Sequence, residues 1–274
     1  MSGETSNRSP LYLVKLGGSL ITDKTRAQTV RGEVLDQLSV EISQLSAAHR
    51  ANLVIGHGSG SFGHRTAAEY AIHQGVKSSA QLAGVGWTQR SAAILHGTVM
   101  QSLLEAGVPA FSLSPSSFSM AAAGSIQSVW PEPLLMSLDL GVVPIVYGDV
   151  IMDVDWGASI SSTESVFLAL VPALASRGRF VQGVVWLGET DGVLDSNGSV
   201  IPEIDPDDIA SVAAGIDGAS GVDVTGGMRH RLEAAETLAR LGVASWIGSG
   251  LEPGSLTRAI EGEAAGGTRV LPGK

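Results

Sequence analysis

Two apolar segments of this chain each run directly into a cluster of glycines. Leu11–Leu16 has a β-like pattern and ends in Gly17-Gly18-Ser19, and residues 52–55 end in the glycine-rich segment 56–64. A helical pattern then follows the first cluster, with apolar residues at Val34, Leu35, Leu38, Ile42 and Leu45. Strand, glycine turn and helix in this order build a parallel sheet. The chain is therefore predicted to adopt an α/β fold.

Further apolar runs continue this alternation. Strands are predicted at 110–113, 142–147, 180–187 and 244–247, and helices at 89–106, 164–175 and 228–241. This order favours a largely parallel sheet with helices on both faces. A soft boundary near Val181 divides the chain into lobes of residues 11–180 and 181–274, and the polar residues 1–10 are predicted to be a disordered leader.

Composition excludes several classes of function. The net charge is −10 without a long basic run, so neither nucleic acid nor a membrane surface is an expected partner. The absence of cysteine excludes disulfides, thiolate metal sites and a cysteine nucleophile. Apolar runs are all shorter than a membrane span, and a cytoplasmic location is expected.

The segment 56–64 has the sequence GHGSGSFGH. Gly58, Gly60 and Gly63 match the dinucleotide pattern G-x-G-x-x-G, but the acidic residue that should follow about 20 positions later is missing. A phosphate-binding P-loop fails at His64 and Arg65, which stand in place of Lys and Ser/Thr. Backbone N–H groups at a helix N-terminus still favour an anion such as phosphate. The alternative is a tight structural turn with a half-buried histidine.

Two lysines lie beside the first glycine cluster. Lys15 ends the first strand, and Lys24 follows Asp23 shortly after the turn. Two cations at one donor-rich turn suit the β- and γ-phosphates of ATP, because phosphoryl transfer depends on positioning and on neutralising charge. Lys24 is equally compatible with a solvated loop position.

Carboxylates follow the predicted strand 142–147. Asp149, Asp153, Asp155 and Glu164 could orient lysines or hold Mg²⁺ through water. The solvated state is favoured for Asp153 and Asp155, because both fall in a predicted hairpin. Glu164 follows Thr163 at a helix start, which is also an ordinary place for an acid.

A last glycine pair opens the helix predicted at 228–241. Arg229, His230 and Arg231 fall in its first turn, where cations oppose the helix dipole. Either a bound anion offsets that cost or the three side chains point to solvent.

Together these segments resemble the isopentenyl phosphate kinases of the amino acid kinase superfamily. The matching motifs, in family order, are KLGGSLITDK from Lys15, GHGSGSFGH from Gly56, SPSSF from Ser114, VPIVYGD from Val143, DGV from Asp191 and DVTGGM from Asp223. The motifs KLGGS and TGGM are common to the superfamily. SFGH, SPSSF and DVTGGM are specific to this branch.

The resemblance implies an open αβα sandwich with a mainly parallel central sheet, the amino acid kinase fold, usually as a homodimer. The lobe of residues 11–180 would bind the phosphate acceptor, and the lobe of 181–274 would bind ATP, with Mg²⁺ as a further cofactor. The implied catalytic residues are Lys15, Lys24, His64 and Glu164. The implied acceptor-binding residues are Gly58, Ser59, Gly60, His64 and Gly148. The implied nucleotide-binding residues are Lys15, Gly17, Gly18, Ser19, Asp191, Gly226, Gly227, Met228 and Arg231.

Several positions depart from the family pattern. Glu164 replaces an Asp that organises the active-site lysines, Arg231 replaces a Lys, Ser59 replaces a Gly, and Gly188-Glu189-Thr190 replaces a more usual Thr-Asp-Val. The first hypothesis is ATP-dependent phosphorylation of isopentenyl phosphate. A second is a kinase for another small phosphate or a phosphonate such as fosfomycin, and a third is a phosphate-binding homologue without turnover.

Overall fold

The computed structural model of the protein describes residues 10–217, 226–262 and 266–273, and it leaves out the side chains of residues 64, 216 and 217. Nine of the ten positions of the predicted leader, and Asp223 to Thr225 of the DVTGGM motif, lie outside these ranges. The strands are β1 (Leu11–Leu16), β2 (Leu53–His57), β3 (Ala110–Ser112), β4 (Ser119–Ala122), β5 (Ser125–Val129), β6 (Val143–Tyr147), β7 (Asp149–Asp153), β8 (Gly157–Ser161), β9 (Val181–Gly188), β10 (Glu203–Ile204), β11 (Ala244–Ser249) and β12 (Thr268–Val270). The α-helices are α1 (Gly18–Ile21), α2 (Gly32–Gln44), α3 (Ala47–Arg50), α4 (Gly60–Glu69), α5 (Ser79–Glu105), α6 (Glu132–Leu140), α7 (Thr163–Ala175), α8 (Ile209–Asp217), α9 (Gly226–Arg240) and α10 (Ser255–Glu261).

The central sheet has the strand order β10-β12-β11-β9-β1-β2-β6-β3. All six strands predicted from the sequence lie in it, and each pairs in parallel with its neighbours from β11 to β3. Only β12, and β10 beside it, run in the opposite direction within the described part of this sheet. The mainly parallel sheet is therefore confirmed.

Helices cover both faces of this sheet, as a mainly parallel sheet requires. One face packs its buried residues against α6, α7 and α9, and the other packs against α1, α2, α5 and α10. Each fully buried leucine or phenylalanine contributes roughly 1.5–3 kcal/mol to folding. The αβα sandwich is thus confirmed.

Alternation along β1 decides which way its lysine points. Leu11 and Leu13 belong to the core beneath α7 and α9, whereas Val14 and Leu16 belong to the opposite core. Because successive side chains of a strand point to opposite faces, Lys15 lies on the face of Leu11 and Leu13. It therefore points toward α7 and α9.

A second, four-stranded sheet has the order β5-β4-β7-β8. The hairpin of β7 and β8 was expected after residue 148, whereas β4 and β5 were not predicted. The predicted solvation of Asp153 is wrong, because its side chain is only 4% exposed. Its carboxylate accepts hydrogen bonds from the backbone N–H groups of Ala123, Gly124, Asp155 and Trp156. Burial opposes its charge, but these donors hold the pKa of Asp153 at about 2. Asp155 is exposed, as predicted.

Candidate active site

Two glycine turns meet at the carboxyl ends of β1 and β2. The strands are in parallel register, with Leu16 opposite His57, so the residues that follow are neighbours. A β-carbon on Gly18 would lie 2.6 Å from the backbone nitrogen of Gly60, and one on Gly58 would lie 2.9 Å from that of Gly18. The two turns are therefore in direct backbone contact, which only glycine permits at these positions.

Thr22 joins the two turns through its hydroxyl. Its Oγ1 donates to the carbonyl of Gly18 at 2.6 Å and accepts from the backbone N–H of Ser61 at 3.0 Å. Gly60 adopts a positive φ of 49°, which lets α4 begin directly against this contact. The sequence did not single out Thr22, although it lies within the KLGGSLITDK motif.

Lys15 and Glu164 form a buried ion pair beneath this junction. The Lys15 Nζ donates to Oε1 of Glu164, and both residues are only 7% exposed. Ser162 caps α7 by accepting a hydrogen bond from the Ser165 N–H, which places Glu164 in the first turn. The predicted proximity of Glu164 to an active-site lysine is thus present in the structure.

Arg231 is a second buried cation at the same place. Its side chain is 8% exposed, and its guanidinium packs against the backbones of Gly17 and Gly188. Its Nε is buried without a hydrogen-bond acceptor among the described residues. Arg229 and His230 instead lie in solvent and pair with Glu233. Only one of the three cations in this turn therefore points into the protein.

These three groups leave one buried positive charge in excess. Lys15 and Arg231 are cations and Glu164 is an anion, so the formal charge is +1. Burial would raise the pKa of Glu164, but the Lys15 ammonium outweighs it and lowers that pKa, which keeps the carboxylate ionised. Burial lowers the pKa of Lys15, and Arg231 adds to this effect. An anion placed here would relieve the repulsion between the two cations.

The remaining predicted residues are less closely grouped. Ser19 is half-buried in α1, and Lys24 is exposed on a loop whose base is closed by the pairing of Thr22 with Val30. Gly148 donates to the His57 carbonyl at 3.1 Å, and Ser59 directly precedes α4. The His64 backbone lies in α4, but its side chain is outside the described residues. Its predicted contact with the acceptor stays a prediction.

The other predicted nucleotide residues follow β9 or begin α9. Asp191 is exposed and lines a cavity of about 220 Å³, together with Trp246, Ser249, Glu252, Ser255, Arg258, Gly266 and Gly267. Gly226, Gly227 and Met228 form the start of α9, the helix that carries Arg231. A second ion pair, between Arg31 Nη1 and Glu189 Oε1 at 2.6 Å, connects the residue before α2 to the residue after β9.

Two buried histidines, neither of which was predicted to have a role, lie under the second glycine turn. His57 ends β2 and His96 lies in α5, with His57 Nε2 and His96 Nδ1 3.0 Å apart. Burial, and then the neighbouring His96, lower the pKa of His57 to about 3. Burial also lowers the pKa of His96 to about 4. Both rings are therefore neutral near pH 7.

Acid should destabilise the fold through these histidines. Because the pKa of each histidine is lower in the folded protein, the unfolded chain binds protons more readily than the folded protein does. The unfolding free energy is therefore highest above pH 6.5 and falls as the pH drops towards 4. Lowering the pH from 7 to 5 should reduce the unfolding free energy by about 2 kcal/mol for each histidine. Urea unfolding at both pH values should show a loss smaller by about this amount in His96→Phe than in the unaltered protein. Equal losses in the two proteins would contradict the assignment.

Comparison with known proteins identifies the family. The model of the amino acid kinase family matches residues 10–249. Isopentenyl phosphate kinase of Methanothermobacter thermautotrophicus is 34% identical, with 95% of this chain and 98% of that protein aligned. The corresponding enzyme of Haloferax volcanii is 32% identical over 93% and 97% of the two chains. A crystal structure of isopentenyl phosphate kinase superposes with a TM-score of 0.78 at 29% identity and covers 94% of this chain and 99% of the other. The chain therefore belongs to the amino acid kinase family, in the branch of the isopentenyl phosphate kinases.

Proposed function

We propose that this protein transfers the γ-phosphoryl group of ATP to isopentenyl phosphate and releases isopentenyl diphosphate and ADP. The observation that carries the proposal is the buried Lys15, Glu164 and Arg231 group, with its excess positive charge, beneath two glycine turns in backbone contact. Such a site stabilises the anionic groups of both substrates where the transfer takes place. The choice of isopentenyl phosphate as the acceptor rests on the relatives that carry the name isopentenyl phosphate kinase.

The reaction needs no covalent enzyme intermediate. An oxygen of the acceptor phosphate forms a bond to the γ-phosphorus while the bond from that phosphorus to the β-phosphate oxygen breaks, and ADP leaves with the electron pair. Two phosphate groups repel each other strongly as they approach. Lys15 and Arg231 would offset this repulsion at the transferring group, and Lys24 would reach it from its exposed loop.

The two glycine turns, which both lie in the lobe of residues 11–180, would bind different phosphate groups. The turn after β2, with Gly58, Ser59 and Gly60, would hold the acceptor phosphate at the start of α4, with His64 beside it. Gly17, Gly18 and Ser19 would face the phosphates of ATP. We propose further that residues 11–180 form the acceptor lobe and 181–274 the nucleotide lobe, which contains Asp191 and the start of α9.

Magnesium is proposed to enter with the nucleotide. No group of three or more metal-binding side chains lies together in the described ranges. Mg²⁺ is commonly held by substrate phosphates and one or two carboxylates, rather than by a cage made only of protein. Exposed Asp191 would be available to such an ion directly or through water. When bound, Mg²⁺ neutralises charge on the β- and γ-phosphates.

A homodimer is proposed as the active form. Apolar side chains are exposed along α5 and on the edge strand β3, at Trp87, Ile94, Leu104 and Phe111. A second copy of the chain would bury these side chains, and light scattering would give the mass of the particle.

Within the described ranges, no helix has the length and apolar character needed to cross a bilayer. We place the enzyme in the cytoplasm, where ATP is available.

The two departures from the family pattern in the buried ion-pair site, Glu164 and Arg231, are compatible with turnover. Glu164 reaches Lys15 despite its extra methylene, and Arg231 lies against both Gly17 and Gly188. Lys15 therefore keeps a carboxylate partner. These contacts disfavour the hypothesis of a homologue that binds phosphate without transferring it.

The test is to incubate the protein with Mg-ATP and isopentenyl phosphate, dimethylallyl phosphate or fosfomycin in separate reactions. We expect ADP release with isopentenyl phosphate, and a product whose mass is that of isopentenyl diphosphate. Release of ADP only with fosfomycin would reassign the acceptor. Hydrolysis of ATP at the same rate with and without acceptor would exclude the proposed transfer.

A further inference from the structure

Three aromatic rings stack in the interior directly below the second glycine turn. We call His57, His96 and Tyr147 the ring cluster. The rings of His96 and Tyr147 are 4.2 Å apart between centroids, and the other two pairs are 5.3 and 5.6 Å apart, all nearly parallel. Each member comes from a different element, namely β2, α5 and β6. The cluster thus connects α5 to the carboxyl ends of two central strands.

A chain of hydrogen bonds runs through this cluster to the glycine turn. His57 Nδ1 lies 3.1 Å from the carbonyl oxygen of Gly58, His57 Nε2 lies 3.0 Å from His96 Nδ1, and His96 Nε2 lies 2.7 Å from the Ser112 hydroxyl. A carbonyl only accepts, so His57 Nδ1 must carry the proton. In neutral rings the other nitrogen then accepts, so His96 Nδ1 donates to His57, and the Ser112 hydroxyl donates to His96. The single carbonyl therefore fixes both tautomers.

This chain sets the direction of one peptide group in the turn. The Gly58 carbonyl points at His57, and because a trans peptide is planar, the Ser59 N–H points to the opposite side. The Gly58 N–H is held by the Leu16 carbonyl at 3.1 Å, and its α-carbon lies against Gly18. Gly58 is therefore fixed on three sides, and His57 provides the only one of these contacts that depends on a side chain.

We propose that His96, acting through His57, is a positioning residue for the acceptor phosphate. By donating to His57 Nε2 it keeps the proton on Nδ1, and so it holds the Gly58–Ser59 peptide with its carbonyl toward His57 and its N–H on the opposite side, among the backbone donors proposed to bind the acceptor phosphate. His96 itself touches no substrate. The proposal rests on the proposed function, since the turn after β2 is taken as the acceptor site.

Two substitutions of His96 separate its ring from its hydrogen bond. His96→Phe keeps the stacking on Tyr147 but cannot donate to His57, whereas His96→Asn places an amide N–H near the position of Nδ1 but loses the ring. We expect His96→Phe to raise KM for isopentenyl phosphate about tenfold while KM for ATP changes by less than about twofold, since small misplacements of a binding group weaken substrate use strongly. His96→Asn should recover most of that loss.

Ser39→Ala serves as the control for a purely structural effect. It removes a buried hydrogen bond, 2.8 Å long, between Ser39 and Ser102 on α2 and α5, away from the glycine turns. It should lower the melting temperature without raising KM for isopentenyl phosphate relative to KM for ATP. The same rise of both KM values in His96→Phe, or a larger loss in His96→Asn than in His96→Phe, would overturn the positioning role.

A separate readout distinguishes this proposal from the proposed function. If the unaltered protein does not phosphorylate isopentenyl phosphate, the proposed function fails, and binding of inorganic phosphate by calorimetry then tests the turn alone. Phosphate should bind the unaltered protein about tenfold more tightly than His96→Phe, for the same positional reason. Equal affinities would overturn the proposal whatever the activity.

Discussion

Replacing Lys15 with alanine should lower kcat at least about a thousandfold, because a single well-placed cation contributes this much to phosphoryl transfer. Lys15 is buried at the end of β1 and contacts Glu164. Water cannot replace an ammonium group in such a position at comparable strength, because solvent dipoles must reorganise as the charge moves. The measurement is single-turnover formation of isopentenyl diphosphate, which reports the chemical step without product release.

The control for Lys15→Ala must account for Glu164, which loses its ion-pair partner in this variant. Lys15→Ala buries the Glu164 carboxylate without its ion-pair partner, which costs about 3–5 kcal/mol of stability. The double variant Lys15→Met with Glu164→Gln removes both charges and should unfold at a higher urea concentration than Lys15→Ala, yet be equally inactive. Lys77→Ala removes an exposed lysine and should leave kcat unchanged. Turnover within about tenfold of normal in both Lys15 variants would reject the role assigned to this residue.

Local patterns in the sequence were sufficient for the central sheet and for the glycine turns. The strand Leu11–Leu16 was predicted to the residue, because a short apolar run that begins after a proline and ends at two glycines is typical of a buried strand. The register of β1 with β2 and β9 could not be predicted from these apolar segments. It nevertheless determines that Gly18 meets Gly58 and Gly60, a contact on which the site depends.

The buried charged group shows what local patterns leave open. Lys15 and Glu164 are separated by 149 positions, and their contact results from the order of strands in the sheet. Helical periodicity does contain a signal for the acid, because Glu164 precedes buried Phe167 and Val171 by three and seven positions. An acid at this phase of a helix is directed to the core.

The same periodicity separates Arg231 from its two neighbours. Arg231 lies three, four and seven positions before buried Ala234, Ala235 and Leu238, so it shares their face of α9. Arg229 and His230 are rotated away by one or two steps of about 100°. The position of all three cations in the first turn does not reveal this difference; their phase relative to the buried residues does. The solvation of Asp153 was wrongly predicted for a different reason, since two of its backbone donors lie in the turn between the unpredicted strands β4 and β5 and two lie in its own turn.

Gly18→Ala should reduce kcat/KM about a hundredfold, although it adds only one methyl group. The new β-carbon would lie 2.6 Å from the backbone nitrogen and 2.8 Å from the α-carbon of Gly60. Neither atom belongs to a flexible side chain, so the two turns must move apart by a large fraction of an ångström. A displacement of about 1 Å between reacting groups can cost about a hundredfold in rate. Steady-state kinetics with both substrates measures the effect, and urea unfolding should show a cost of about 1–3 kcal/mol for the overpacking.

Gly32→Ala is the matched control, because Gly32 also begins a helix but has open space around its α-carbon. This substitution should leave kcat/KM unchanged and raise stability by up to about 1 kcal/mol, since alanine loses less conformational entropy than glycine on folding. The contrast between the two variants isolates the contact of the turns from the general effect of replacing a glycine. If Gly18→Ala retained full activity, the two turns would be able to separate without consequence, and the transfer would not depend on their backbone contact.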